Sequence, residues 1–216
     1  MGEFNVYNML AAGAAAVALG LDVATIEAGL GRVTAVSGRM ERLDEGQNFL
    51  AMVDFAHTPN ALEKALKATR PMVAAQNGKI IAVFGSAGKR DVEKRRMMAE
   101  ISAVYADITV LTAEDPRTEK LADILEMMAG GCRLKGGREG DTFWRVPDRG
   151  EAIYFALTLA RPQDVVIVCG KGHEQSMNFE GTEYPWDDRD ATRAALRAFL
   201  AGQPMVDLGL PTFGGG

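Results

Sequence analysis

Past Phe49 the sequence settles into a regular alternation of short apolar runs and helix-length segments, and that alternation leaves few folds open. The clearest run is Val165-Val166-Ile167-Val168-Cys169, uninterrupted and β-branched, the pattern of an internal strand in a parallel sheet. It is followed at once by Gly170-Lys171-Gly172-His173-Glu174. Glycines there let the backbone turn sharply, and ligands of open α/β sheets bind beyond the carboxyl ends of strands. Strands are also expected at Arg39–Leu43, Phe49–Val53, Lys79–Phe84 and Ile108–Thr112, the first two around the turn at Asp44–Gln47. Helices are expected at about Pro59–Ala75, Val92–Tyr105, Glu119–Ala129, Arg149–Ala160 and Asp188–Leu200. Gly130–Asp141 reads as a polar, glycine-rich loop holding Cys132, and the tail from Gly202 as loose. The expected fold is α/β: a Rossmann-like, mostly parallel sheet with helices on both faces.

Ahead of this region, Phe4–Leu19 is an Ala-rich helical pattern, and a second helix runs from Asp22 as N-cap to about Leu30. No strand precedes them, so they read as the end of something larger. No internal repeat is present. Right-handed crossovers bring all strand-to-helix loops to one edge of the sheet. Those loops are Ala56-His57-Thr58, Gly85–Asp91, Ala113–Thr118 and Gly170–Gln175, and they hold every conspicuous polar cluster of the chain.

Composition removes several classes. At 47% apolar residues the chain can bury a sizeable core, and a net charge of −5 without a basic stripe argues against nucleic acid as the main partner. No segment reaches membrane-spanning length, and the N-terminus does not read as a signal peptide. Two widely separated cysteines argue against a disulfide framework, so a cytoplasmic location is expected.

Each loop has two readings. Gly85-Ser86-Ala87-Gly88-Lys89-Arg90 could cradle an anion on its backbone N–H groups, or be a glycine-rich turn with solvated basic residues. It lacks the spacing of a P-loop. Glu114-Asp115-Pro116-Arg117 either aims an arginine fork at a carboxylate or is a capping turn. His57 and His173, the only histidines, are catalytic or structural, and no metal site is expected. Tyr184–Arg189 reads as a helix entry with an acidic cap.

Taken as an ordered series these segments resemble the C-terminal part of the Mur peptide ligases, most closely the MurE branch. The matching pieces are Phe4–Asn8, Gly38–Glu41, Asp54–Pro59, Gly85–Arg95, Asp115–Arg117, Gly170–Glu174 and Pro185–Arg189. The resemblance implies an ATP- and Mg²⁺-dependent amide ligase that adds a diamino acid to UDP-MurNAc-dipeptide in peptidoglycan synthesis through an acyl phosphate. It implies nucleotide contacts from Asn5, Asn8, Arg39, Asp54 and His57. It implies an amino-acid site at Arg90, Asp115, Pro116, Arg117, Gly170 and Glu174, with meso-diaminopimelate as the expected guest. By the same resemblance, residues 1–36 are the last helices of the ATPase domain, 37–202 the amino-acid-binding domain and 203–216 a flexible tail. The P-loop and the UDP-sugar domain of the family are missing from the sequence, so the expected partners include those domains, and ligation by this chain alone is not expected. Two rivals stand beside this reading: another ligase of the superfamily, folylpolyglutamate- or cyanophycin-like, and a noncatalytic amino-acid-binding module. One departure bears on the substrate: the family's Asp-Asn-Pro-Arg is Glu114-Asp115-Pro116-Arg117 here, and the extra carboxylate would repel substrate carboxylates or favour the α-ammonium.

Overall fold

The computed structural model describes residues 3–33, 35–75 and 77–214. The chain forms two compact units, Met1–Val36 and Ser37–Gly216. The first contains α1 (Glu3–Ala18) and α2 (Val23–Gly31), the latter capped by Asp22, whose carboxylate accepts the Thr25 N–H.

The second unit is built on a six-stranded sheet. Its strands are β1 (Glu41–Leu43), β2 (Leu50–Asp54), β3 (Ile80–Phe84), β4 (Ile108–Leu111), β5 (Phe143–Arg145) and β6 (Val165–Cys169), in the order β1-β2-β6-β3-β4-β5. Only β1 is antiparallel to its neighbour. As the run of β-branched residues requires, β6 is buried along its whole length between β2 and β3. Helices α3 (Pro59–Ala74), α4 (Val92–Tyr105) and α5 (Leu121–Leu134) cover one face, where Leu62, Leu66, Met98 and Met128 pack on Ile80, Phe84 and Ile167. Helices α6 (Arg149–Leu159) and α7 (Asp188–Leu200) cover the other, packing Ile153, Leu157 and Leu196 on Val53, Val83 and Val168. The chain leaves β2 and β3 toward one face and β6 toward the other, so the crevice at the head of β6 is a topological switch point.

The sheet, its parallel sense and the helices on both faces match the sequence reading, and four details correct it. Helix α5 does not stop at Ala129. Ile124, Met128 and Cys132 recur every fourth residue as one buried stripe, and burial carries the helix through two glycines that disfavour it. Cys132 is therefore a core residue, its thiol pushed up to about 12 by burial. Short β5 lies beside β4, just past the expected loop at Gly130–Asp141, where the sequence predicts no strand. A hairpin of β7 (Ser176–Phe179) and β8 (Thr182–Pro185) follows β6, turning at Glu180 and Gly181, both at positive φ as a two-residue turn demands. The tail is packed: Met205 and Leu210 join the α6/α7 core, and Thr212 Oγ1 donates to Asp148 Oδ2. Among the described residues no helix is long and apolar enough to cross a membrane.

Candidate functional site at the carboxyl rim of the sheet

Two buried arginines, one from each helical layer, hold the rim together. Arg95 of α4 is fully buried and reaches over to the loop after β4, 2.8 Å from Glu119 Oε2, while Nη2 donates to Ala87 O at 3.3 Å in the loop after β3. Glu119 also accepts the Lys89 N–H. The Arg95 guanidinium, and next the Lys89 N–H, lower the Glu119 carboxyl from 4.5 to about 2. A depressed carboxyl adds stability above its unfolded value and loses it as the pH falls through its folded value. The thermal-stability advantage of the wild type over Glu119→Gln should therefore be full above about pH 5 and vanish between pH 4.5 and about 2. Melting curves across that range check this, and a difference that persists at pH 2 contradicts it.

Arg149 of α6 makes the second brace. It is buried without remainder and meets Asp188 through Nε at 2.7 Å and Nη2 at 2.8 Å. The same guanidinium donates to Ala113 O at 3.0 Å and Cys169 O at 2.9 Å. These carbonyls end the stretches that lead into Glu114 and Gly170, so one side chain fixes the spacing of two loops across β3. Trp186 Nε1 donates to Asp188 Oδ1 at 2.8 Å and Asp187 is the cap of α7, so the expected helix entry with an acidic cap is found at Trp186–Arg189, while Tyr184 and Pro185 belong to β8.

Above these braces the loops interlock. Gly88 N donates to Asp115 O at 2.9 Å, and Arg117 Nη1 donates to Gly88 O at 2.7 Å. Arg117 itself, at φ 53, is stapled to the hairpin: its N–H donates to Asn178 O and its carbonyl accepts from Glu180 N. Lys171 Nζ lies 3.0 Å from Asp115 Oδ1 and 3.1 Å from Glu174 Oε2. Asp115, Pro116, Arg117, Gly170 and Glu174 thus come together, and Arg90 follows, exposed, two residues beyond Gly88.

A neighbouring cluster lies over the head of β2. The Arg39 guanidinium stands 4.2 Å from the Phe55 ring centroid, and Phe55 is flanked by His57 at 4.4 Å and His173 at 4.9 Å. Gly38 at φ +63 allows the approach of this turn to the next loop, because a Cβ there would be 2.4 Å from the Gly172 carbonyl carbon. Asp54 accepts the N–H groups of Met40 and Ala56, each at 2.8 Å, and burial raises its carboxyl above the ordinary range. Its carboxylate therefore holds the turn that presents Arg39. Asn5 and Asn8 lie three residues apart on α1, on one face of that helix in the first unit.

Four residues of this rim received no individual role from the sequence: Arg149, and Lys171, Phe55 and Glu114, which were noted only as members of their loops. Glu114 is 5% exposed, its Oε2 has no hydrogen-bond partner among the described residues, and burial pushes its carboxyl up despite Lys94 and Arg149 nearby. An acidic residue three positions past the buried strand β4 was the available signal for it.

The family model described as Mur ligase, glutamate ligase domain, matches residues 38–172. The chain is 46% identical over 195 residues to a UDP-N-acetylmuramyl-tripeptide synthetase of Roseiflexus sp. (strain RS-1), covering 90% of this chain and 38% of that one. It is 43% identical over 197 residues to a UDP-N-acetylmuramoyl-L-alanyl-D-glutamate--2,6-diaminopimelate ligase of Geobacillus kaustophilus (strain HTA426), covering 91% and 39%. A solved structure of a ligase of that second description superposes with a TM-score of 0.70 at 34% identity, covering 93% of this chain and 39% of the other. A Mycobacterium tuberculosis folylpolyglutamate synthase shares the fold at a TM-score of 0.58 and 20% identity, covering 95% of this chain and 41% of its own. The chain spans less than two fifths of the length of the two curated relatives named.

Proposed function

Because the chain belongs to the Mur ligase family, we propose that it is the C-terminal part of an ATP-dependent ligase that joins a diamino acid, meso-diaminopimelate, to UDP-MurNAc-dipeptide in the cytoplasm. What supports this reading is a cationic and an acidic group on loops that interlock at one rim: Arg117, held by Gly88, and Glu174, held by Lys171, which also meets Asp115. A diamino diacid presents that pair of charges in reverse. Among the described residues the Arg117 fork engages only Gly88 O, through Nη1, which leaves its other N–H groups for a carboxylate, with exposed Arg90 two residues beyond Gly88. Glu174 and the Gly170 carbonyl accept from the distal ammonium.

ATP, when bound, supplies activation of the substrate carboxylate as an acyl phosphate, which the amine then attacks. Arg39 and His57 around Phe55 are the residues of the second unit that would face the nucleoside, Asp54 acting by bracing the Arg39 turn; within the first unit, Asn5 and Asn8 are the residues the family resemblance assigns to the nucleotide. The sequence offers no phosphate-binding P-loop, and among the described residues no group of three or more His, Cys, Asp or Glu is placed to hold a metal ion. Mg²⁺ would come bound to the ATP phosphates, and no residue of this chain is assigned to hold it. The chain's own part is to bind the amino acid and aim its amine, with ligation needing the further domains of the family.

Calorimetry tests the reading. The chain should bind meso-diaminopimelate, and Arg117→Ala should weaken that binding about tenfold or more, the worth of a lost charge-assisted fork. Equal affinity of the wild type for lysine, which lacks the distal carboxylate, would overturn the assignment.

A further inference from the structure

One short loop is a wall of two clusters. Strands β2 and β6 pair in parallel with Asp54 opposite Cys169, so the loops that leave them run side by side, and Gly170 N donates to Asp54 O at 3.1 Å. Within Gly170–Glu174 the contacts divide. Lys171 and Glu174 belong to the amino-acid side: the Lys171 ammonium lies 3.0 Å from Asp115 Oδ1 and 3.1 Å from Glu174 Oε2. Gly172 and His173 belong to the other side. A Cβ on Gly172 would stand 2.7 Å from Phe55 Cβ, and the His173 ring centroid is 4.9 Å from that of Phe55. The same Phe55 ring carries the Arg39 guanidinium at 4.2 Å and the His57 ring at 4.4 Å. Gly38, next to Arg39, also closes on the loop, since its own Cβ would lie 2.4 Å from His173 N.

Contacts this close leave no slack between Phe55 and Gly172, and a packed contact without voids transmits displacement. Glu174 is two residues further on. Arg39 and His173 are exposed and Phe55 is half-buried, so protein alone does not enclose the ring. A nucleoside that engages Arg39 and His57 fixes the ring further, and with it Gly172 and His173. Ordering done for one ligand is not required again for the next, which makes the coupling positive. We infer, on the ligase reading above, that the Gly170–Glu174 loop couples the two clusters: a nucleoside held at Arg39 and His57 raises the affinity for the amino acid, with Phe55 and His173 as the positioning residues that carry the effect. Both clusters lie in the second unit, so the effect needs no other domain.

Adenosine is the probe, because it presents a base and a ribose without calling on a phosphate-binding loop. In calorimetry on the whole chain, millimolar adenosine should tighten meso-diaminopimelate about fivefold, the low end of couplings between sites, and meso-diaminopimelate should tighten adenosine by the same factor. Phe55→Leu keeps an apolar side chain but removes the ring, and the coupling should disappear. Phe55→Tyr keeps the ring and should keep the coupling, a rescue that general damage at this position would not show. His173→Ala, at an exposed position, carries the test if Phe55→Leu does not fold, and it should lower the factor as well. Adenosine that leaves meso-diaminopimelate affinity unchanged, or weakens it, overturns the inference. So does a coupling that survives either of these two variants undiminished. A wild type that binds no meso-diaminopimelate sinks the ligase reading itself. A wild type that binds it through Arg117 but ignores adenosine sinks this inference alone.

Discussion

Arg149→Met should destabilise the second unit by about 3–5 kcal/mol, the scale for removing one partner of a buried ion pair. Asp188 is fully buried and would keep only the Trp186 N–H and its neighbours in α7 as compensation. The carbonyls of Ala113 and Cys169 would each lose a charged donor in a place that water does not reach. Most substitutions fall well short of this range, and this one reaches it because a charge and two backbone acceptors are orphaned together. Urea unfolding followed by circular dichroism measures it. Adding Asp188→Leu should recover part of the loss, since a buried pair replaced as a whole by apolar groups is often near neutral. If Arg149→Met alone shifts stability by less than about 1 kcal/mol, the brace described for the rim is not what holds it.

Gly88→Ala should separate ligand binding from folding. A Cβ at this position would lie 2.0 Å from the Pro116 carbonyl oxygen, a contact with backbone that no rotamer can relieve. The loops after β3 and β4 must move apart, and the bonds from Gly88 N to Asp115 O and from Arg117 to Gly88 O go with that movement. Strain of this kind costs about 1–3 kcal/mol, which leaves a domain of this size folded. The amino-acid pocket, in contrast, needs Arg117 to be placed within a fraction of an ångström. Affinity for meso-diaminopimelate should fall by about a hundredfold while the melting transition stays cooperative, a combination that calorimetry and thermal unfolding reveal together. Retained affinity would show that the two loops are free to move without consequence.

The parts legible from sequence were those whose signals are local. Val165–Cys169 announces a buried strand by its β-branching, and Asp22 and the acidic run at Asp187 announce helix starts by their chemistry. The gathering of Asp115, Arg117 and Glu174 at one rim followed from the handedness of the crossovers, with no contact visible in the sequence. What escaped was decided by partners far along the chain. Nothing near Arg149 says that its partners are Asp188, Ala113 and Cys169, and nothing near Lys171 says that it will meet Asp115. Helix α5 ran past its glycines because a buried stripe outweighed their propensity. The hairpin at Ser176–Pro185 was open to detection: Glu180-Gly181 between the alternating Met177 and Phe179 and the Tyr184 that packs on Phe179 is a short-turn pattern.

The docked end of the chain has a practical bearing. Asp148 caps α6 by accepting the Glu151 N–H, and its second oxygen takes the Thr212 hydroxyl. The last described turn of the polypeptide is therefore wired to the start of the helix that bears Arg149. Expression boundaries drawn before Thr212, or purification tags fused tightly against it, would disturb the foundation of the rim from its far side, and a spacer placed beyond that threonine spares it.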